Sequence, residues 1–201
     1  MAGHSQSIGF TVERDGGVYV LTLVSEDGMN RLTRQRVIAL DEEIRNLASC
    51  DSPALPLIIS GERNFSAGAD LNEIRYLSGP EALEFARLGQ SLMSAIESYP
   101  APVIAAIEGH CMGGGLDLAL ACHRRIASPH AVFGHRGAAL GLMTGWGGTQ
   151  RLPRLIGKGR ALELFVAAEK VTAARALQIG LVHTIANVPV AEASRRLAGL
   201  P

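Results

Sequence analysis

Val103-Ile104-Ala105-Ala106-Ile107 is an unbroken apolar run, and six residues later the chain reads Gly113-Gly114-Gly115-Leu116-Asp117-Leu118-Ala119-Leu120. An apolar run without alternation is the pattern of a strand buried on both faces. The glycines that follow open a helix. Its first backbone N–H groups have no intrahelical acceptor, no Cβ covers them, and they lie at the positive end of the helix dipole. Such donors suit an anion, or an oxygen that gains charge during a reaction. Asp117 stands about one turn along, on nearly the same face as the Gly114 amide. Two plainer readings remain open: the glycines let the helix pack tightly on a strand, and Asp117 is a first-turn acid worth about 0.3–1 kcal/mol against the dipole.

Working outward, residues 8–13 and 18–24 are strand-like, with Asp15-Gly16-Gly17 as a hairpin turn between them. Val37, Leu40, Ile44 and Leu47 form a helical stripe within residues 32–48. Leu57-Ile58-Ile59 reads as a second buried strand, and residues 61–70 as the loop after it. Residues 81–98 carry a helical pattern with Leu83, Leu88, Leu92, Met93 and Ile96 inward. Short strands are expected at 125–127, 131–133 and 182–185, and a last helix at 190–197. Residues 134–148 are glycine-rich and poor in helical propensity; helix resumes near Thr149, with Gly157 and Gly159 as breaks. Strands alternating with helices define an α/β fold built on βαβ units. Ligands in such folds bind beyond the carboxyl ends of strands. The two loops that follow buried strands, at 61–70 and 109–115, therefore open onto one edge.

Bulk properties narrow the function. The 201 residues make a single domain, 1–201, large enough to bury a proper core. The formal net charge is zero, which argues against nucleic acid as a partner. Cys50, Cys111 and Cys122 are an odd number without metal-ligand spacing and read as buried thiols in a reducing compartment, so no metal is expected. The polar stretch 1–7 has no apolar signal region, and no apolar run is long enough to cross a membrane. A cytoplasmic protein is expected.

Five segments, in order and spacing, resemble the enoyl-CoA hydratase/isomerase (crotonase) superfamily from about residue 8 onward. They are Phe65-Ser66-Ala67-Gly68-Ala69-Asp70-Leu71, the run from Pro102 to Gly115, Phe133-Gly134, Gly145-Trp146-Gly147-Gly148-Thr149-Gln150-Arg151-Leu152, and Ile156-Gly157-Lys158 with the stretch ending Gly180-Leu181-Val182. The resemblance implies a ββα spiral with two roughly perpendicular sheets, commonly assembled as homotrimers or hexamers. It implies a coenzyme A thioester as substrate, no further cofactor, and a place in fatty acid metabolism. In that family two backbone N–H groups grip the thioester oxygen; by position they are those of Ala69 and Gly114. Ala67, Gly68, Ala69, Asp70 and Leu71 would line the CoA groove. An enolate oxygen collects the charge in reactions of this class, and each well-placed donor is worth roughly 3–4 kcal/mol in the transition state.

The acids depart from the pattern. Typical hydratases resembling this chain carry glutamate at the position of Asp117 and a second where this chain has Gly137. Water addition needs one group to activate water and another to move a proton, each worth roughly 10²–10⁴-fold. Relatives that place an aspartate eight residues further on would have it at Gly145. The resemblance thus implies a hydratase/isomerase-type lyase or isomerase with Asp117 as its surviving acid/base. An acyl-CoA decarboxylase and a non-catalytic CoA-binding or assembly subunit are the alternatives. His135 and Arg136 flank Gly137; they would supply a proton or hold an acyl carboxylate, but the plainer expectation is two solvated side chains. His110 reads as a hydrogen-bonded core histidine, Trp146 as apolar wall or floor of the acyl pocket, and Cys111 as core. Glu62, Arg63, Arg34 and Arg36 read as solvated faces. Family members continue through C-terminal helices that cover the acyl pocket, so a shortened C-terminal helical part is implied. Either the pocket is more open, a neighbouring subunit covers it, or the chain is truncated.

Overall fold

The computed structural model describes residues 9–199. The polar stretch 1–7 and the start of the first expected strand at Ile8 lie outside them. The first hairpin is β1 (Phe10–Asp15) and β2 (Val18–Leu23), paired antiparallel with Asp15 opposite Val18. The two residues between them, Gly16 and Gly17, both have positive φ (54° and 85°), the requirement of the tight hairpin turn the sequence suggests. Helix α1 (Arg34–Cys50) follows, its start held by the Thr33 side chain accepting from the Arg36 N–H. The chain then enters β3 (Leu57–Gly61), a short turn α2 (Leu71–Ile74), and the long α3 (Gly79–Glu97), opened by a capping box of Ser78 and Glu81.

Next come β4 (Val103–Ile107), β5 (His110–Met112), α4 (Gly114–Ala121), β6 (Arg124–Ala127) and β7 (Val132–Gly134). A 3-10 turn at Arg136–Leu140 leads to α5 (Gly148–Ile156) and α6 (Lys158–Ala167). The chain closes with β8 (Val171–Thr172), α7 (Ala173–Gln178), β9 (Thr184–Ile185) and α8 (Pro189–Ala198). Gly157 does separate two helices, but Gly159 lies inside α6 and breaks nothing.

The strands form two sheets, of order β1-β2-β3-β4-β6-β9 and β5-β7-β8. Beyond the first hairpin the larger sheet is parallel throughout, and β5 runs parallel to β7. Both faces of β3 and β4 are covered, which is why these strands are continuously apolar. Leu57, Ile59, Val103, Ala105 and Ile107 join the main core with α1, α3 and α4, while Ile58, Ile104 and Ala106 pack on Ala193 and Leu197 of α8. No helix of the described residues is long and apolar enough to cross a membrane.

Two arginines are buried because they terminate backbone segments. Arg36, expected on a solvated face, is 8% exposed and donates to the carbonyls of Arg31 and Val24 (both 2.8 Å). Its five-donor fork answers carbonyls that no secondary structure satisfies. Arg125 on β6 is 3% exposed and donates to Leu181 O (2.8 Å), Cys122 O (2.8 Å) and Ala119 O (3.2 Å). It ties the end of α4 to the segment before β9. Arg125→Met leaves those carbonyls buried without donors and is expected to lower unfolding stability by about 2–4 kcal/mol in urea titrations; a loss under about 1 kcal/mol would show that the anchor is dispensable.

Candidate active site

The site grows from two strand ends and one loop. The loop after β3 is held on both sides. Phe65 N–H donates to Glu108 O (2.8 Å), Ser66 N–H to His110 O (2.9 Å), and Met112 N–H to Ser66 O (2.9 Å), so the loop runs beside β5. On its other side Leu32 N–H donates to Gly68 O (2.9 Å) and Asp70 N–H to Leu32 O (3.3 Å). Ala69 is the bridging residue opposite Leu32, in parallel register. In that register the flanking peptides bond across the bridge and the residue's own N–H points away from it. The Ala69 N–H is thus turned from Leu32 and meets no protein acceptor among the described residues.

The second donor comes from α4. Gly113 caps the helix at φ 52°, ψ −121°, without a side-chain cap bond, and its N–H goes to Gly134 O (2.9 Å). Gly114 is the first helical residue, and its N–H likewise meets no protein acceptor among the described residues. The two amides are close neighbours. A Cβ on Gly114 would lie 3.3 Å from Ala69 N, and a Cβ on Gly68 would lie 2.9 Å from Gly114 N and 2.6 Å from Met112 O. Gly68, at φ 91°, must be glycine both for its conformation and for this close approach.

Ala69 and Gly114 both line a cavity of about 430 Å³ whose wall also includes Ala67, Leu71, Asp117, His135, Arg136 and Trp146. Gly68 and Asp70 stand behind that wall: Gly68 turns the loop, and the Asp70 carboxylate accepts from Asn72 N–H (2.8 Å) to start α2. Trp146 fits between two glycines. A Cβ on Gly89 would come within 2.2 Å of its indole and one on Gly114 within 2.4 Å. The indole meets Phe85 edge-on at 5.3 Å and donates to Phe85 O (3.3 Å). It forms apolar wall, as the sequence suggests.

Asp117 is 1% exposed on α4, and its Oδ2 accepts a short hydrogen bond from the Thr144 hydroxyl. Its Oδ1 lies 3.3 Å from His135 Nε2. That separation suits charge pairing, but the geometry is out of line for a hydrogen bond, and both atoms are buried without a hydrogen-bond partner. His135 is 4% exposed and its ring packs against Phe165 at 5.2 Å. The expectation of a solvated His135 is therefore wrong. The cause is topological. Met112 of β5 pairs with Gly134 of β7 in parallel, so the residues after these strands emerge side by side. One leads into α4 and Asp117; the other is His135. The three-residue β5 lay hidden in the sequence inside what reads as a loop at 109–115. Arg136 is exposed, as expected, and forms no ion pair among the described residues.

The position of the absent second acid is filled space. A Cβ on Gly137 would lie 2.8 Å from Leu142 O and 3.2 Å from its carbonyl carbon, because residues 141–143 fold back over the 3-10 turn. Leu142, Met143 and Thr144 from this fold-back line the cavity and carry no signal in the sequence beyond their glycine-rich surroundings. His110 departs from expectation: its backbone N–H donates to Asn64 Oδ1 (2.9 Å), but its ring Nδ1 is buried without a partner. Cys111 and Cys122 are buried as read, and burial pushes the Cys111 thiol well above the ordinary range, but Cys50, read as buried, is exposed at the end of α1.

The sequence profile of the enoyl-CoA hydratase/isomerase family matches residues 13–198. The chain is 40% identical over 177 residues to the crotonyl-CoA hydratase of Syntrophomonas wolfei, covering 87% of this chain and 67% of that one. The structure of DspI from Pseudomonas aeruginosa superposes with a TM-score of 0.90 at 36% identity, over 96% of this chain and 74% of that one. The enoyl-CoA hydratase of Bacillus anthracis superposes at 0.88 and 32% identity, over 95% of this chain and 77% of that one.

Gly68→Ala introduces a left-handed backbone cost and a methyl against Met112 O and the Gly114 amide. It should lower stability by roughly 1–3 kcal/mol in urea unfolding. Gly159→Ala, where nothing lies within 4 Å, should cause no loss; equal effects would show that the approach of the two loops is not tight. By profile, sequence and fold, the chain belongs to the enoyl-CoA hydratase/isomerase family, as an enoyl-CoA hydratase-like member of the crotonase superfamily.

Proposed function

We propose that this protein binds an acyl-CoA thioester and stabilises its enolate, acting on an enoyl-CoA as a hydratase or isomerase. The observation that carries the reading is the convergence of the Ala69 and Gly114 amides, both without protein acceptors, on a cavity whose wall also carries Asp117. In this reading the thioester oxygen sits between the two amides. As Cβ is attacked or a proton leaves the acyl chain, charge gathers on that oxygen, and each donor contributes roughly 3–4 kcal/mol because it is already oriented. Asp117 moves the proton. Thr144 holds its Oδ2, and Oδ1 has no hydrogen-bond partner within the protein. The apolar wall of Leu71, Phe85, Trp146 and Phe165 suits an acyl chain. Assembly as a trimer or hexamer belongs to the same reading, and Leu162 and Val166 on α6, 63% and 68% exposed, are apolar surface that assembly would cover.

A second reading draws on Arg136. It lines the cavity with a guanidinium unpaired among the described residues, suited to the departing carboxylate of a malonyl-type CoA. Decarboxylation needs the oxygen site and one proton donor only.

Asp117→Asn keeps the shape and removes the base. It is expected to lower crotonyl-CoA turnover by more than about 10²-fold while acetoacetyl-CoA binding stays within a few-fold of the parent. Malonyl-CoA decarboxylation without crotonyl-CoA hydration would select the second reading. A parent protein that binds acetoacetyl-CoA but turns over neither thioester would make it a binding subunit and overturn both.

A further inference from the structure

Resting on the hydratase reading, we propose that His135 is the second proton carrier of the site, and that Asp117 and His135 act as one acid–base unit in place of two carboxylates. Adding water across a double bond requires a proton to leave the water and another to reach Cα. Asp117 can serve one of these. At Gly137, where a second carboxylate is expected, the Leu142 backbone fills the space a side chain would take. His135 is the other titratable side chain beside Asp117 in the cavity wall, 4% exposed and 3.3 Å from the carboxylate.

Two features mark the pair as built for a ligand. Asp117 Oδ1 and His135 Nε2 are both buried and both lack hydrogen-bond partners, a costly state for two polar atoms unless something bound answers them. Thr144 holds the other carboxylate oxygen, fixing which oxygen faces the imidazole. Gly148 packs closely against the pair: a Cβ there would come within 2.2 Å of Oδ1 and 3.0 Å of Nε2, so only glycine fits beside it.

The step balances on these groups. The Asp117 carboxylate takes one proton from the water as its oxygen bonds to Cβ. The Cα=Cβ pair of electrons moves to form the enolate, whose oxygen rests between the Ala69 and Gly114 amides. Protonated His135 then gives its Nε2 proton to Cα and the thioester carbonyl re-forms. Asp117 is left protonated and His135 neutral; after product leaves, Asp117 gives its proton to water and His135 takes one from water. The site returns to its starting charge without a second carboxylate.

His135→Gln retains a polar side chain of similar reach that cannot carry a proton. With the parent turning over crotonyl-CoA, this variant should lose at least about 10²-fold in kcat while binding acetoacetyl-CoA within a few-fold of the parent. If the variant also binds poorly, His135→Ala with added imidazole decides: turnover that rises with imidazole concentration supports the assignment, and none overturns it. A His135→Gln enzyme within three-fold of the parent kcat overturns the inference and leaves the hydratase reading intact. A parent that binds acetoacetyl-CoA without hydrating crotonyl-CoA overturns both.

Discussion

The arrangement depends on where a few backbone hydrogen bonds go. Gly68 O and Asp70 N–H are committed to Leu32, and Ser66 is committed to β5 on the opposite side. With both neighbours tied, the Ala69 N–H is the one left without a protein acceptor among the described residues. Gly113 N–H is committed to Gly134 O, so the next amide, Gly114, opens α4 unpaired. Buried or half-buried amides are nearly always satisfied within the protein. Here the bridge register that pairs its flanking peptides leaves Ala69 unpaired, and the helix start leaves Gly114 unpaired. Sheet-like bonds hold the Ala69 segment together with the Ser66 hydroxyl, which accepts from Gly68 N–H and donates to Asn30 O; in the proposed reading the two amides then need little reorganisation to receive charge.

The acid side of the cavity follows from a different register. Because β5 and β7 run parallel with Met112 beside Gly134, the chain leaves both strands at one edge. The general rule that ligands gather beyond strand ends acquires a concrete cause: α4 brings Asp117, and the residue after β7 is His135. Phe165 closes the imidazole from outside and Arg125 locks the far end of α4 to the segment before β9. Asp117 therefore rides on an element fixed at both its glycine start and its C-terminal carbonyls.

Much of this was legible in the sequence. The apolar runs at 57–59 and 103–107 sit on buried strands because burial on both faces removes any alternation. The glycine-opened helix begins at Gly114, and Gly16-Gly17 makes the expected hairpin. What the sequence concealed was of two kinds. The strands β5 and β8 are three and two residues long, too short for any periodicity, and their existence depends on partners far along the chain. Charged side chains also misled. Arg36 and His135 look like surface residues, yet each is buried by a tertiary neighbour that local pattern does not encode: open carbonyls for Arg36, and Asp117 with Phe165 for His135. The fold-back of residues 141–143 over Gly137 is likewise invisible until Leu142 is seen against it.

The claim on which the chemistry rests is that the Ala69 and Gly114 amides receive a thioester oxygen. Amide NMR of the ¹⁵N-labelled protein, titrated with acetoacetyl-CoA and with free coenzyme A, tests it directly. The two amide protons should move downfield further than any others with acetoacetyl-CoA, and much less with coenzyme A alone, which has no acyl oxygen to offer. If the thioester binds and shifts other residues while these two stay where they were, the oxygen is held elsewhere and the site has been misread.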